Sequence, residues 1–174
     1  MVRGVRIRGV PVYPKPGKNL AYMINLVETA DWLGKFDVLV CHFGTNDICV
    51  KSQADIIQSY QTLVSTFRLK FPLTTLVLSC IIPRPRDEYL RGSKVKAINN
   101  QLIEWCKEAG VLCLRTFSPF TKAGAAKTEL FRGGRDMLHL DSSRGLPKLS
   151  AFFSQQLSDG IIIPRMQSAV NQRL

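Results

Sequence analysis

The chain has 174 residues, of which 45% are hydrophobic and 21% charged, as is typical of one folded domain. It contains no apolar run long enough to span a bilayer, and arginines interrupt the N-terminal segment where a signal peptide would be apolar. The sequence therefore predicts an intracellular, cytoplasmic protein. Its net charge of +11 favours association with nucleic acid or with an anionic membrane surface.

The cysteines argue against a disulfide framework and against a zinc site. Their number, five, is odd, and no C-x-x-C pair occurs. Four of them lie in apolar strand-like runs or on an apolar helix face, as is typical of reduced core residues: Cys41, Cys80, Cys106 and Cys113. We expect no metal and no cofactor.

The first part of the chain alternates between strand and helix patterns. Apolar and polar residues partly alternate over 5–13, which predicts a strand, and a Pro/Gly-rich loop follows at 14–17. Asn19 can cap a helix, and Gly34 is placed to end it. A buried strand is predicted at 37–43, directly after this helix.

The second part begins with the clearest helix, which starts at a capping box over 52–55 and ends at Pro72. The later elements are a charge-free strand at 74–82, a helix striped from Val95 to Ala109, a strand at 111–114, a long loop at 116–135 and a helix from near Ser143. Strands that alternate with crossover-length helices are typical of parallel sheets. The sequence predicts an α/β fold of the flavodoxin-like, three-layer α/β/α type with about four strands.

Loops that follow predicted strands carry the candidate functional residues, because such loops form the site in open α/β folds. They are Gly17, the turn 44–47, and the pair Asp136 and His139. The N–H group of a glycine and the side-chain amide of Asn46 are suitable donors to a developing oxyanion. An aspartate can orient an imidazole, which can then act as a general base.

Each motif also has a purely structural interpretation. Gly44, Thr45, Asn46 and Asp47 are typical of a turn whose polar side chains bond the local backbone, and we expect Asp47 to stabilise that turn. Alternation places His42 on the same face as Gly44 and Asn46, although a strand histidine is more often a packed core residue. The Asp136 and His139 spacing also occurs in pairs of surface or cap residues.

The motifs together resemble the SGNH hydrolases, the GDSL-like esterase and lipase superfamily. V-L-V-C-H-F-G-T-N-D-I is similar to the third conserved block of that family, D-M-L-H-L to the fifth and P-K-P-G-K to the second. The resemblance runs from about Val5 to Leu157. It implies a hydrolase-like domain at 1–160, and residues 161–174 are predicted to form a C-terminal tail.

The resemblance also implies roles for single residues. Gly17 and Asn46 become oxyanion donors, His139 becomes the base, and Asp136 orients it. The first block of the family, with G-D-S and the nucleophilic serine, has no counterpart, because the first serine of the chain is Ser52. We therefore expect an N-terminally truncated domain that lacks the first strand and helix.

No other residue is a good candidate for the missing nucleophile. The alternatives are Cys41, Ser79, Ser118, Ser142 and Ser143, and none lies in the glycine-rich turn that presents a nucleophile. The site residues of the chain thus include no nucleophile, and the domain is expected to be inactive as written.

Three functions remain open. The first is ester hydrolysis on an acyl-ester substrate, if the missing block is supplied upstream. The second is a basic binding module for RNA or anionic lipid, because esterase domains of some LINE-type retrotransposon proteins are similar to this chain. The third is a non-functional gene fragment. The sequence does not indicate an oligomeric state.

Overall fold

The computed structural model describes residues 11–158, which divide into two compact units. We call the first the sheet unit; it comprises Lys15–Pro83 and Asp87–Phe117. The second, the hairpin unit, includes residues 11–14, 84–86 and 118–158. The predicted tail at 161–174 lies outside the described residues, and the domain at 1–160 stays a prediction.

The sheet unit contains a parallel sheet of three strands in the order β1-β2-β3. These strands are Val38–Cys41, Thr75–Ser79 and Leu112–Leu114. The α/β class with a parallel sheet is confirmed. Of the additional strand predicted at 5–13, residues 5–10 lie outside the described part of the chain, and residues 11–13 form no strand.

Three helices complete the sheet unit: α1 at Leu20–Thr29, α2 at Gln53–Lys70 and α3 at Glu88–Glu108. The side chain of Asn19 accepts a hydrogen bond from the N–H of Tyr22, and Ser52 and Asp55 form a reciprocal capping box. Both predicted helix starts are confirmed.

The predicted end of α1 at Gly34 is wrong. The helix ends at Thr29, and Gly34 lies inside a short 3-10 helix at Asp31–Lys35. A Cβ atom on Gly34 would lie 2.8 Å from Cδ1 of Phe71. The glycine therefore allows Phe71 to pack closely against the 3-10 helix and does not end α1.

The core of the sheet unit is formed by the apolar faces of its helices and by the strands. Burial of one large aliphatic or aromatic side chain stabilises a fold by roughly 1.5–3 kcal/mol. The buried helix residues include Leu20, Met23 and Val27 from α1, Ile56, Tyr60, Leu63, Val64 and Phe67 from α2, and Val95, Ile98, Leu102 and Cys106 from α3. The stripe that the sequence predicts from Val95 onward thus faces the core.

The hairpin unit contains structure that the sequence analysis assigned to a long loop. Strands β4 (Thr121–Lys122) and β5 (Ala125–Ala126) pair antiparallel across a two-residue turn of Ala123 and Gly124. Both turn residues have positive φ, 50° and 82°, as in the tight hairpin turns that match strand twist. Alanine is unusual at the first of these positions, so the sequence pattern did not predict the hairpin.

The last helix, α4, spans Gly145–Ser158 and starts two residues after the predicted position. Oδ1 of Asp141 accepts hydrogen bonds from the N–H groups of Ser143 and Arg144 at 2.9 and 3.0 Å. Asp141 thus holds the turn that precedes the helix. Within residues 11–158, no helix is both long enough and apolar enough to cross a bilayer.

Candidate active site

The turn after β1 is held in a tight backbone geometry that requires glycine. Gly44 has φ +105°, and the N–H of Asp47 donates to its carbonyl at 3.1 Å. A Cβ atom on Gly44 would lie 2.5 Å from the hydroxyl oxygen of Tyr60 and 2.8 Å from Cδ1 of Ile81. The same Tyr60 hydroxyl donates to the carbonyl of Phe43 at 2.7 Å, so a buried side chain of α2 positions the start of the turn.

The turn after β1 and the loop before α1 are joined by the candidate oxyanion residue Asn46. Its Nδ2 atom donates to the carbonyl oxygen of Lys18 at 2.8 Å. Gly17 precedes Lys18 and has φ +71°, in a turn closed by the bond from Lys18 N–H to Lys15 O at 3.3 Å. An amide nitrogen carries two hydrogens, so the bond to Lys18 uses one and leaves a second that can serve an oxyanion. The fold thus brings Asn46 beside the Gly17 loop.

Asp47 makes a second connection between the turn and α1. Its carboxylate is fully buried, and its Oδ2 atom accepts the N–H of Leu20, the first residue of α1, at 3.0 Å. Its Oδ1 atom lies 3.1 Å from Nζ of Lys51. A carboxylate at a helix N-terminus interacts favourably with the helix dipole. The side chain of Thr45, between Gly44 and Asn46, is half-buried.

A polar chain of three side chains crosses the carboxyl ends of all three parallel strands. Nδ1 of His42 lies 2.8 Å from Oγ of Ser79, which lies 2.9 Å from Oγ1 of Thr116, and the Thr116 hydroxyl donates to the carbonyl of Cys80. Every contact is a hydrogen bond if Ser79 donates to Thr116 and His42 donates from Nδ1 to Ser79. In that arrangement the Ser79 proton points away from the imidazole, which is the wrong direction for a nucleophile and its base.

Burial sets the protonation of His42, a member of this polar chain, and of its neighbour Cys41. Desolvation lowers the pKa of His42 to about 4, so its imidazole is neutral at pH 7. Burial also raises the pKa of the Cys41 thiol to about 12, which keeps it protonated and unreactive. The protonated thiol disfavours Cys41 as a nucleophile, and complete burial disfavours Ser79.

The hairpin unit holds the predicted base and its orienting carboxylate. Nδ1 of His139 donates to Oδ1 of Asp136 at 2.8 Å, and the same oxygen accepts the N–H groups of Leu138 and His139 at 3.3 and 3.1 Å. The left-handed backbone of Met137, with φ 38°, allows the carboxylate to curl back onto these donors. With Nδ1 carrying its proton, the neutral imidazole presents Nε2 as the basic atom.

The pKa of Asp136 reflects two opposed influences. Partial burial disfavours its charged form, but the hydrogen bonds from the His139 side chain and backbone outweigh this and lower the pKa of Asp136. Nη1 of Arg132 lies 3.7 Å from Oδ2 of the same carboxylate. Asp136 is therefore ionised at neutral pH and orients an exposed His139.

Sequence patterns do not predict the polar chain of His42, Ser79 and Thr116. Its members are far apart in the sequence, and only the strand register brings them together: Cys41 pairs with Leu78 and Ser79 with Leu114, so the polar residues meet at the strand ends. Within the described residues, no group of three or more His, Cys, Asp or Glu side chains could hold a metal ion.

The sequence matches one known protein family. Residues 4–143 match the model of the GDSL-like lipase/acylhydrolase family, which covers most of the chain. The chain belongs to this family. Its membership supports an ester hydrolase domain and confirms the resemblance read from the three blocks.

Solved structures agree with this assignment. A GDSL-like lipase from Bacteroides thetaiotaomicron matches with a TM-score of 0.67 and 13% identity, over 83% of this chain and 73% of the lipase. A carbohydrate esterase of family 3 from Talaromyces cellulolyticus matches with a TM-score of 0.62 and 16% identity, over 94% of this chain and 80% of that chain. These likenesses support the predicted α/β/α fold class.

A third structure is more similar in sequence. It is the esterase domain of the ORF1 protein from the zebrafish ZfL2-1 retrotransposon, with a TM-score of 0.53 and 28% identity, over 88% of this chain and 90% of that domain. A comparison with curated proteins gave no match.

Proposed function

We propose that this chain is a GDSL-type ester hydrolase domain in which Gly17 and Asn46 are oxyanion donors and Asp136 orients His139 as the general base. One observation carries the proposal: the hydrogen bond from Asn46 Nδ2 to Lys18 O joins the G-T-N-D turn to the Gly17 loop. Two donors held on adjacent, fixed segments can stabilise an oxyanion without reorganising during the reaction.

We further propose that the 174 residues alone do not form an acyl-enzyme. An acyl-enzyme needs a serine or cysteine that is exposed and activated by a base. Ser79 is buried with its hydroxyl in a polar chain, and the Cys41 thiol is held protonated. Neither Ser79 nor Cys41, of the described residues, thus meets these requirements for attack on a bound ester.

We expect purified chain to show no turnover of short acyl esters such as p-nitrophenyl acetate above that of His139→Ala. Release of p-nitrophenol, followed by absorbance, checks this. Turnover by the parent chain that disappears in His139→Ala would contradict the inactivity, because it would reveal a nucleophile among the 174 residues. In a parent chain that does turn over the ester, Asn46→Asp, which replaces the amide donor with a carboxylate acceptor, should lower that turnover.

A second candidate function is binding to a polyanion, and two observations favour it. The chain carries a net charge of +11, and it is similar along most of its length to a domain of a retrotransposon ORF1 protein. Cations that neutralise phosphates release counterions, so affinity falls steeply with salt when charge is used for binding.

We expect single-stranded RNA to bind at low salt and to lose roughly tenfold or more in affinity between 50 and 200 mM salt. Fluorescence anisotropy with a labelled oligonucleotide measures this, and vesicles containing an anionic phospholipid form the second arm. Binding to vesicles but not to RNA would show that the basic surface binds a membrane. No binding in either arm at low salt would remove this function.

A further inference from the structure

Three cysteines from separate elements lie together in the sheet unit, and the proposed hydrolase site uses none of their thiols. Sγ of Cys80, just after β2, lies 3.9 Å from Sγ of Cys113 in β3. Cys106 of α3 also interacts with the Cys113 thiol. Cys80 and Cys106 are buried, whereas Cys113 is half-buried. Cys113 is therefore the member of this cluster that a small reagent reaches from solvent.

The strand register explains why the two sulfur atoms approach each other. Leu78 pairs with Cys113, and Cys80 lies two residues further along, so the side chains of Cys80 and Cys113 stand on the same side of the sheet. The 3.9 Å separation of the two sulfur atoms places these diagonal neighbours in contact. An S–S bond is about 2 Å long, so closing the 3.9 Å gap draws the segments that carry Cys80 and Cys113 toward each other.

The surroundings make Cys113 the most acidic of the three thiols. Hydrogen bonds from the Cys106 and Cys80 thiols, with the nearby charge of Arg115, lower the pKa of Cys113 in opposition to its burial. The same interactions and burial raise the pKa values of Cys80 and Cys106. The remaining cation near the cluster, Arg68 of α2, acts on Cys106 and donates to the carbonyls of Ala109 and Gly110.

We propose that Cys113 is an oxidation site for hydrogen peroxide and that Cys80 is its resolving thiol. The Cys113 thiolate attacks one peroxide oxygen, the O–O bond breaks, and the departing oxygen leaves as water after taking up a proton. The Cys113 sulfenic acid is then attacked by the Cys80 sulfur, which forms the S–S bond and releases a second water. Two thiols together lose two electrons, and one hydrogen peroxide is reduced to two waters.

Oxidation at this position would reach the polar chain at the strand ends. The N–H of Cys80 donates to Leu114 O at 2.9 Å, and its carbonyl accepts the hydroxyl of Thr116. Cys80 also directly follows Ser79, the partner of His42. A bond that draws Cys80 toward Cys113 therefore pulls on the segment that positions His42, two residues before Gly44.

The test treats the full chain carrying Cys49→Ser, which removes the exposed thiol, with hydrogen peroxide at neutral pH. We expect the intact mass to fall by two hydrogens and peptide mapping to identify a Cys80–Cys113 disulfide that a dithiol reductant reverses. Cys80→Ser should instead accumulate a Cys113 sulfenic acid, which a cyclic-dione probe traps. Cys106→Ser is the matched control and should still form the disulfide.

Several outcomes would overturn the proposal. They are unchanged mass after peroxide treatment that oxidises free glutathione completely, a disulfide between Cys106 and Cys113, and first labelling by the dione probe at Cys80 or Cys41. Mapping of the Cys49→Ser chain decides between them even if a further variant fails to fold.

Discussion

Gly44→Ala is expected to lower the free energy of unfolding by about 2–5 kcal/mol, from left-handed strain and from overpacking. The new Cβ would lie 2.5 Å from the Tyr60 hydroxyl oxygen and 2.8 Å from Cδ1 of Ile81, at a backbone φ of +105°. Both neighbours are fully buried and cannot move without disturbing the core. Thermal and urea unfolding of the two proteins measure the loss.

Gly110→Ala separates strain from packing. Gly110 also has positive φ, +61°, but no atom lies within 4 Å of a Cβ built there. This control should therefore lose only about 1 kcal/mol, the cost of a left-handed alanine. An equal loss in both variants would contradict the claim that Gly44 is required for close packing.

Tyr60→Phe makes the test specific to one contact. Removing the hydroxyl relieves the closest clash, so the double variant Gly44→Ala/Tyr60→Phe should lose less than the sum of the single losses. Additive losses would show that the Tyr60 hydroxyl and the position 44 side chain do not interact. A Cβ at position 44 would also push the hydroxyl away from the carbonyl of Phe43, so both single variants would lose that hydrogen bond.

His42 is expected to make the fold sensitive to acid. Its pKa is lowered to about 4 by burial, whereas an unfolded histidine titrates near 6.5. Between these two values the unfolded chain binds more protons than the folded chain, so the free energy of unfolding falls as the pH drops from about 6.5 to about 4. The loss from this one group reaches up to about 3 kcal/mol, less where solvent screens the half-buried ring.

His42→Asn removes the titrating group while keeping an N–H donor for Ser79. We expect the variant to lose less stability than the parent between pH 7.5 and pH 4.5 in urea unfolding at each pH. His139→Asn, at the other histidine of the chain, should keep the acid-dependent loss of the parent. Identical pH slopes for the parent and His42→Asn would show that His42 protonates without cost in the folded chain.

The sequence predicted local features well because their signals are local. Asn19 and the Ser52–Asp55 box cap helices through bonds to N–H groups two or three residues away, so their spacing can be read directly. The blocks that resembled SGNH hydrolases were equally readable, and the family match confirms them. The role predicted for Gly34 was wrong because the sequence alone does not distinguish a glycine required by close packing from one that ends a helix.

The amino-acid sequence by itself determined the α/β class, the family and the candidate residues of this protein, since period, caps and motif spacing depend on neighbours along the chain. Only the tertiary structure decided which of these residues meet. Three sets of hydrogen bonds join segments that are tens of residues apart in the sequence. They are the bond from Asn46 to Lys18, the bond from Leu20 N–H to Asp47, and the polar chain from His42 to Thr116. The first two contacts depend on how α1 packs beside the turn, and the third depends on strand register, because a shift of one residue would turn a strand side chain to the other face of the sheet.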